Sequence, residues 1–436
     1  WPHTRREISW ILWTMGPLRS RIAGFRVSRR LAAAIGVAAT MAMMGLRAGT
    51  PAGHDGEAEH DAVVPLDSGD SDREAQALPV EEGPPPEPPT TSACSERHTV
   101  RPAEGSGFVR HSTVPRETLA QIAHRYDVSP WKLREWNGLA AETPSLQKGT
   151  RLRVRPRRIS PPRERIEYTV RPGDTWWRVA VAHGVDSMDL RAYNWPYRGK
   201  MTPGETLQIW IDPLIYDWIH ATPGDPLTPE GVRRGGVGIG SPNDGVLLNG
   251  VQIPEGSSYR LRFPKSAYGT THAVEQFLAA MEVLGELEDA PARVAVGSMS
   301  RPRGGPLGTH QSHQTGRDLD LRLPRRAGVP SWQALKPSRV NWLGTWRLVQ
   351  ALARTDVEVI FLDYGMQRRL YQAAEKAGAS EEELATLLQY PRGRHARRGL
   401  VRHEDGHDKH LHVRFRCGPC ETECVVLGAA PPESEP

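Results

Sequence analysis

The chain is predicted to be an α+β protein built from several small domains, and three observations carry that prediction. Two runs, 318–323 and 410–416, alternate polar and apolar residues with the period of a strand although they stand far apart in the chain. Segments with helical apolar spacing, Thr271–Leu284 and Trp346–Arg354, are interspersed irregularly with strand-like ones, which favours α+β over a doubly wound parallel sheet. An internal repeat fills 98–212 ahead of them. At 436 residues the chain exceeds one ordinary core, and two or three domains are expected.

The N-terminal quarter reads as address and spacer. Translation is expected to begin at Met15, leaving 1–14 as a gene-model artefact. Within 15–48, the basic stretch Arg26–Arg30 leads into an apolar run of mostly small residues, 31–46, which matches a secretory signal peptide better than a membrane span of about 20 residues. An uncleaved anchor is the alternative; no stable span is expected after cleavage. Residues 49–97 follow as a disordered, acidic, proline-rich linker. Its stretch 51–90 holds eleven Asp and Glu against Arg73 alone, with eight prolines, so it cannot bury enough apolar area to offset its chain entropy.

Each copy of the repeat reads as strand, helix, helix, strand. The second runs through Tyr168–Val185 and Asp186–Trp195 and closes with Met201–Trp210. The first follows the same plan in Thr118–Ser129, Lys132–Leu139 and Leu146–Val154, behind an irregular opening strand. Asp174 and Thr175 are placed to cap a helix, and Asn137 and Asn194 to end one before a glycine turn. The two copies, 98–157 and 166–212, resemble LysM modules, the first divergently. That resemblance implies binding of N-acetylglucosamine-containing glycans in shallow grooves formed by loops. Pro161 and Pro162 mark a stiff linker between the copies, and the Gly/Pro-rich 213–234 reads as a second linker, so glycan binding and any chemistry downstream are expected to be separable.

Residues 235–428 form the last domain, before a disordered tail at 429–436. Val357–Leu362 reads as a buried strand and Ser380–Leu388 as a helix with an N-cap and an acidic first turn. Period two places Asp318, Asp320 and Arg322 on one strand face, and His410, His412, Arg414 and Arg416 on another, while Leu411, Val413 and Phe415 supply core. Two such strands aligned in one sheet converge imidazole and carboxylate on one point. Seven of the sixteen histidines lie between 310 and 412, which packing alone does not explain. Three protein ligands and one open position is the arrangement of a catalytic zinc.

The runs Gly238–Gly245, Val296–Pro306, His310–Asp320 and His407–Cys417 resemble the penicillin-insensitive murein endopeptidases, zinc peptidases of the lysostaphin, D-Ala-D-Ala peptidase and hedgehog-like fold group. The resemblance implies His313, Asp320 and His412 as zinc ligands and His410 as the catalytic histidine, with His310 and His407 in or near the pocket. Asp318 shares the strand face beside it. One zinc per chain is expected. Some members carry a further Asp and His for a second metal, whereas 337–346 offers only Asn341. The implied activity is hydrolysis of peptide cross-links in peptidoglycan, at D-alanyl-diaminopimelate bonds, without a covalent intermediate. A D,D-carboxypeptidase or amidase on the same zinc, or a non-catalytic wall-binding protein, are the rivals. Arg301 and Arg303 are candidates to grip a substrate carboxylate, a role suited to the planar guanidinium.

Four cysteines, Cys94, Cys417, Cys420 and Cys424, permit three pairings if all are bridged. The resemblance narrows this by implying a disulfide between Cys417 and Cys424, which an oxidising periplasm allows. The net charge of +5 joins an acidic spacer to an arginine-rich remainder. No nucleic-acid-binding signature accompanies it, and an exported basic protein, periplasmic or secreted, meets the anionic cell wall instead. Ser129 and Lys132 form an isolated S-x-x-K without S-D-N or K-T-G companions, which argues against a serine mechanism.

Overall fold

The computed structural model describes residues 98–427, apart from 106, 141–145, 197–198, 222–226 and 229–230. The expected artefact, signal peptide, acidic linker and tail (1–14, 15–48, 49–97 and 429–436) lie outside the described residues.

The first repeat comprises β1 (Arg101–Pro102), β2 (Val109–Ser112), α1 (Leu119–Arg125), α2 (Pro130–Asn137), β3 (Arg151–Val154) and β4 (Arg158–Ile159), with β2 antiparallel to β3 and β1 to β4. The second comprises β5 (Glu164–Thr169), α3 (Trp176–Ala182), α4 (Ser187–Tyr193) and β6 (Thr206–Ile211), with β5 antiparallel to β6. Local chemistry sets these boundaries. Thr118 and Gln121 form a reciprocal capping box on α1, and Ser129 caps α2 just before Pro130. Thr175 caps α3 as expected, whereas Asp174 accepts the Arg171 amide and the Tyr168 hydroxyl and so fixes the preceding turn. Asn137 and Asn194 do more than end helices. Each donates from its side-chain nitrogen to a helix carbonyl (Leu133, Leu190) and a strand carbonyl (Arg153, Gln208), and accepts that strand residue's amide, so one side chain clips helix to closing strand.

Beyond the repeats the order is α5 (Pro213–Ala221), β7 (Val237–Ser241), β8 (Asp244–Leu248), β9 (Val251–Gln252), β10 (Tyr259–Leu261), β11 (Tyr268–Gly269), α6 (Thr271–Glu286), β12 (Val294–Val296) and β13 (Asp318–Arg322). Then come α7 (Trp342–Ala353), β14 (Val357–Phe361), α8 (Tyr364–Lys376), α9 (Glu381–Leu387), β15 (Val401–Arg402) and β16 (His410–Phe415). A six-stranded mixed sheet runs β10-β12-β13-β16-β14-β15, with β10–β12 and β14–β15 parallel and the other pairs antiparallel. The architecture is α+β. On one face Leu319, Leu321, Leu411, Val413 and Phe415 are buried in a single core with Phe277 of α6 and Trp346 and Leu352 of α7. Each such side chain contributes about 1.5–3 kcal/mol by leaving water. With the helices on that face, the polar residues of β13 and β16 are turned to the other.

Three differences from the sequence reading have physical causes. The helix expected from Trp346 begins at Trp342, because Asn341 caps it by accepting the Gly344 amide. Helix α8 has no counterpart among the sequence expectations, since only Gln367, Leu370 and Ala374 are buried on it and its apolar stripe is too thin to read. Residues 213–234 are not a plain linker: Ile215 and Ile219 of α5 pack into one cluster with Val237, Ile239, Val246 and Leu248 of the β7–β8 hairpin.

The repeats are also packed on the last domain instead of hanging from it, and all of 98–427 falls within one compact unit. Val114 of the first repeat sits in the apolar core of the second. Buried Arg125 of α1 is paired with Asp212 at the end of β6, and Ser160 and Arg158 meet Glu423 near the C-terminus. Among the described residues, no helix is long and apolar enough to cross a membrane.

Candidate metal centre

Strands β13 and β16 bring the expected cluster together by register. Asp320 lies opposite His412, Asp318 opposite Arg414 and Arg322 opposite His410. The third arm comes from the loop before β13, where His313 adopts φ 69°, in the left-handed region that a β-carbon disfavours. Its amide donates to Asp318 Oδ2 at 3.2 Å, which holds the loop in that conformation. Asp320 Oδ1 is then 3.3 Å from His313 Nε2, 3.4 Å from His412 Nδ1 and 3.4 Å from His410 Nε2.

The other ring nitrogens of His313 and His412 are engaged. His313 Nδ1–H donates to the Met299 carbonyl at 2.8 Å, and His412 Nε2–H donates to Asp318 Oδ1 at 3.1 Å. In the neutral rings, those bonds select the tautomers that leave His313 Nε2 and His412 Nδ1 as bare acceptors facing Asp320. Asp318, completely buried, is satisfied by His412, by the Arg414 guanidinium at 2.7 Å and by the His313 amide. By contrast His313 Nε2 and Asp320 Oδ1 are buried with no hydrogen-bond partner. Two orphaned acceptors 3.3 Å apart call for a proton or a metal ion between them. A tetrahedral ion with bonds of about 2.0–2.1 Å has ligand-to-ligand edges of about 3.3–3.4 Å, and the separations of Asp320 Oδ1 from His313 and His412 match that, as does its separation from His410. The residues fit a metal of zinc type.

Electrostatics follow the same pattern. Burial disfavours ionised Asp318 and Asp320, yet His412, Arg414 and His313 hold the first well below the usual carboxylate range, and contacts with His313 and His412 do the same for the second. Burial alone would lower His412, but the Asp318 partnership and then Asp320 raise it to about 9, so the Nδ1 that faces Asp320 holds a proton until a metal ion displaces it. Burial dominates at His410, only partly offset by Asp320 and reinforced by His407 and His412, and lowers it to about 4. His410 is therefore neutral at neutral pH.

The remaining expected residues divide. His310 stands at the rim, its Nδ1 3.8 Å from Asp320 Oδ2. His407 lies tilted against His410, 5.0 Å between ring centroids, with Nδ1–H donating to the Asp405 carbonyl. Both line an open cleft with Asn243, Thr309, Phe361 and Leu427. Arg301 is exposed. Arg303 is not free for a substrate: it donates to Asp189 of the second repeat at 2.7 Å and to Gln121 and the Arg116 carbonyl of the first. The expectation that it grips a carboxylate is therefore replaced by a role in joining the domains. Cys417 and Cys424 form a disulfide directly after β16, and Cys420 is disulfide-bonded as well. The Met299 carbonyl and the Phe361 ring, 5.6 Å from that of His412, are not readable from sequence. A main-chain oxygen leaves no trace in residue type, and Phe361 is visible there only as a core residue of its strand.

A two-layer α+β domain that gathers Asp320 and His412 of the sheet with His313 of the preceding loop has the architecture of a metallopeptidase. Comparison with known proteins agrees: residues 238–377 match the penicillin-insensitive murein endopeptidase family, and residues 111–155 and 168–210 each match the LysM domain. The chain thus carries a penicillin-insensitive murein endopeptidase domain preceded by two LysM domains. A penicillin-insensitive murein endopeptidase of Yersinia enterocolitica is 30% identical over 154 residues, covering 32% of this chain and 50% of the relative. One from Yersinia pseudotuberculosis is 29% identical over 157 residues, with the same coverages. The chain spans about half the length of these curated relatives. The crystal structure of the Bacillus cereus spore cortex-lytic enzyme SleL gives a TM-score of only 0.11 at 20% identity over 24% of this chain and 23% of that one, a likeness too slight to bear on the fold. The family implies a metal; His310, His313 and Asp320 lie close enough together to hold an ion, and so do the neighbouring His407, His410 and His412.

Proposed function

We propose that the protein is a zinc-dependent murein endopeptidase of the D-Ala-D-Ala-peptidase-like fold group, which hydrolyses peptide cross-links in peptidoglycan at D-alanyl-diaminopimelate bonds. Its LysM domains engage the N-acetylglucosamine-containing glycan. The observation that carries the reading is the pair of buried, unpartnered acceptors, His313 Nε2 and Asp320 Oδ1, beside His412 Nδ1. His313, Asp320 and His412 would hold one zinc. When bound, the metal polarises the scissile carbonyl and activates water for attack near neutral pH.

The chain's own residues supply the rest. Asp318 fixes the ring of His412 and compensates the buried Arg414, so the ligand set is preorganised. His410 accepts a proton at Nε2 and returns it to the departing amine, a role supported by its position beside Asp320, whose charge favours the imidazolium. The open cleft accommodates an extended peptide, with Phe361 as an apolar wall. The leader-like segment 15–48 and the disulfide after β16 support an exported, wall-associated location.

Mass spectrometry of muropeptides after incubation of the full chain with zinc tests this reading. Cross-linked dimers are expected to become monomers. Release of terminal D-alanine would indicate a carboxypeptidase, release of the stem peptide from the glycan an amidase, and an unchanged profile a protein that only binds the wall.

A further inference from the structure

Strand register determines what lies beside the centre on the β12 side of the sheet. Arg322 is opposite His410, and Asp320 opposite His412. Val296 pairs with Leu321, so Ala295 adjoins Arg322 and Gly297 adjoins Asp320; the Gly297 amide donates to the Asp320 carbonyl at 2.7 Å. Arg260 pairs with Ala295 in the next strand, and the Arg262 amide carries the pairing on to the Val296 carbonyl. Two rows therefore cross the open face, Arg260–Ala295–Arg322–His410 and Arg262–Gly297–Asp320–His412. Each has an arginine at its far end and a residue with little or no side chain between that arginine and the site.

The middle of this floor is kept low. A β-carbon on Gly297 would come within 2.9 Å of Asp320 Cβ, so no side chain can stand there without moving a metal ligand. The arginines, meanwhile, lack counter-ions. Arg260 and Arg262 are exposed and Arg322 is half-buried, and among the described residues none of the three has a side-chain hydrogen bond or an ion pair. Arg262 lies flat over Phe263, 5.0 Å from the ring centre, and its charge repels Arg322, as does that of Arg325. Asp320 and Asp408 attract Arg322, but the first faces the metal ligands and the second is paired with Lys409 at 3.7 Å, and neither bonds to an arginine of the cluster. Three arginines on neighbouring strands beside the centre, with Arg262 and Arg322 repelling each other, mark a place for an anion.

We propose that Arg322, backed by Arg262 and Arg260, forms an anion subsite that holds the carboxylate of the substrate residue on the amine side of the scissile bond. The inference builds on the endopeptidase reading and names its specificity determinant. In a D-alanyl-diaminopimelate link the amide nitrogen sits on a carbon that itself bears a carboxylate, so a guanidinium one residue pair from His410 is placed to receive it. The subsite takes over the role expected of Arg301 and Arg303. Amidated peptides, which lack the charge, are poor substrates.

The test compares muropeptide dimers carrying this carboxylate free or amidated, with wild-type full chain and the variants R322Q, R322K and R260Q/R262Q, each assayed for zinc content. Wild type is expected to favour the free acid about ten- to hundredfold in kcat/KM, mainly through KM. R322Q should retain zinc and cleave both substrates alike at the slow rate, R322K should recover part of the preference, and R260Q/R262Q should lower it without touching the residue beside His410. Calorimetry with the dipeptide D-alanyl-diaminopimelate and its amide gives a readout independent of turnover. A preference for the acid that is lost in R322Q sustains the subsite even if no dimer is cleaved, an outcome that would sink the endopeptidase reading alone. Equal binding and equal cleavage of acid and amide by wild type, or a uniform loss on both substrates in R322Q and R260Q/R262Q, overturns the subsite.

Discussion

At the scale of single residues, the centre depends on one buried carboxylate that never faces the metal position. Asp318 accepts from His412, Arg414 and the His313 main chain, and so sets a tautomer, neutralises a guanidinium and closes a loop. Asp318→Asn keeps the shape but loses the charge, and is expected to weaken zinc affinity about 10- to 100-fold. Competition with a calibrated chelator measures this; an unchanged affinity would assign Asp318 to packing alone. Much of this site is legible in the sequence, because the two-residue period of a strand is enough to sort Asp318, Asp320, His410 and His412 by face. Arg303 is not legible. Its glycine-rich setting and cationic head suit a substrate, but its partners Asp189 and Gln121 lie more than a hundred residues away in the repeats, and no local pattern announces such a contact.

Within elements, the two asparagine clips show how a short repeat closes without a long sheet. Asn194 spans the last turn of α4 and the edge of β6 with three hydrogen bonds of 2.8–2.9 Å, and Asn137 does the same between α2 and β3. Asn194→Ala should destabilise the second repeat by about 2 kcal/mol, since each bond contributes about 0.5–1.5 kcal/mol net and some of the freed groups reach water. Denaturant unfolding followed by tryptophan fluorescence checks it, and a loss below about 0.5 kcal/mol would mean that strand pairing alone holds the closure. Element type is readable where the apolar stripe is broad, as in α6 and α7, or where an N-cap and an acidic first turn announce the helix, as in α9. It fails at α8 and α5, the first because its stripe is thin and the second because the glycines and prolines after it conceal a helix whose partners are β7 and β8.

For the whole molecule, the domains form a packed assembly in place of the flexible tether that the linker composition suggests. Residues 213–221 bury Ile215 and Ile219 on the β7–β8 hairpin, and Arg125, Asp212 and Glu423 unite both repeats with the peptidase domain. A fragment beginning at Gly235 should accordingly be less stable than the full chain and prone to aggregate, because Val237, Ile239, Val246 and Leu248 lose their cover and Glu423 loses its arginines. Equal melting temperatures for the peptidase domain in fragment and full chain would show the contacts to be energetically idle. The central claim is that His313, Asp320 and His412 hold a zinc on which His410 acts without being needed to bind it. Zinc stoichiometry and turnover of cross-linked muropeptides, measured together on full-chain His412→Ala and His410→Ala, test it most directly. The account predicts loss of both metal and activity in the first, and in the second one zinc per chain with turnover reduced at least about 100-fold. Zinc retained by the His412 variant and lost by the His410 variant would contradict it.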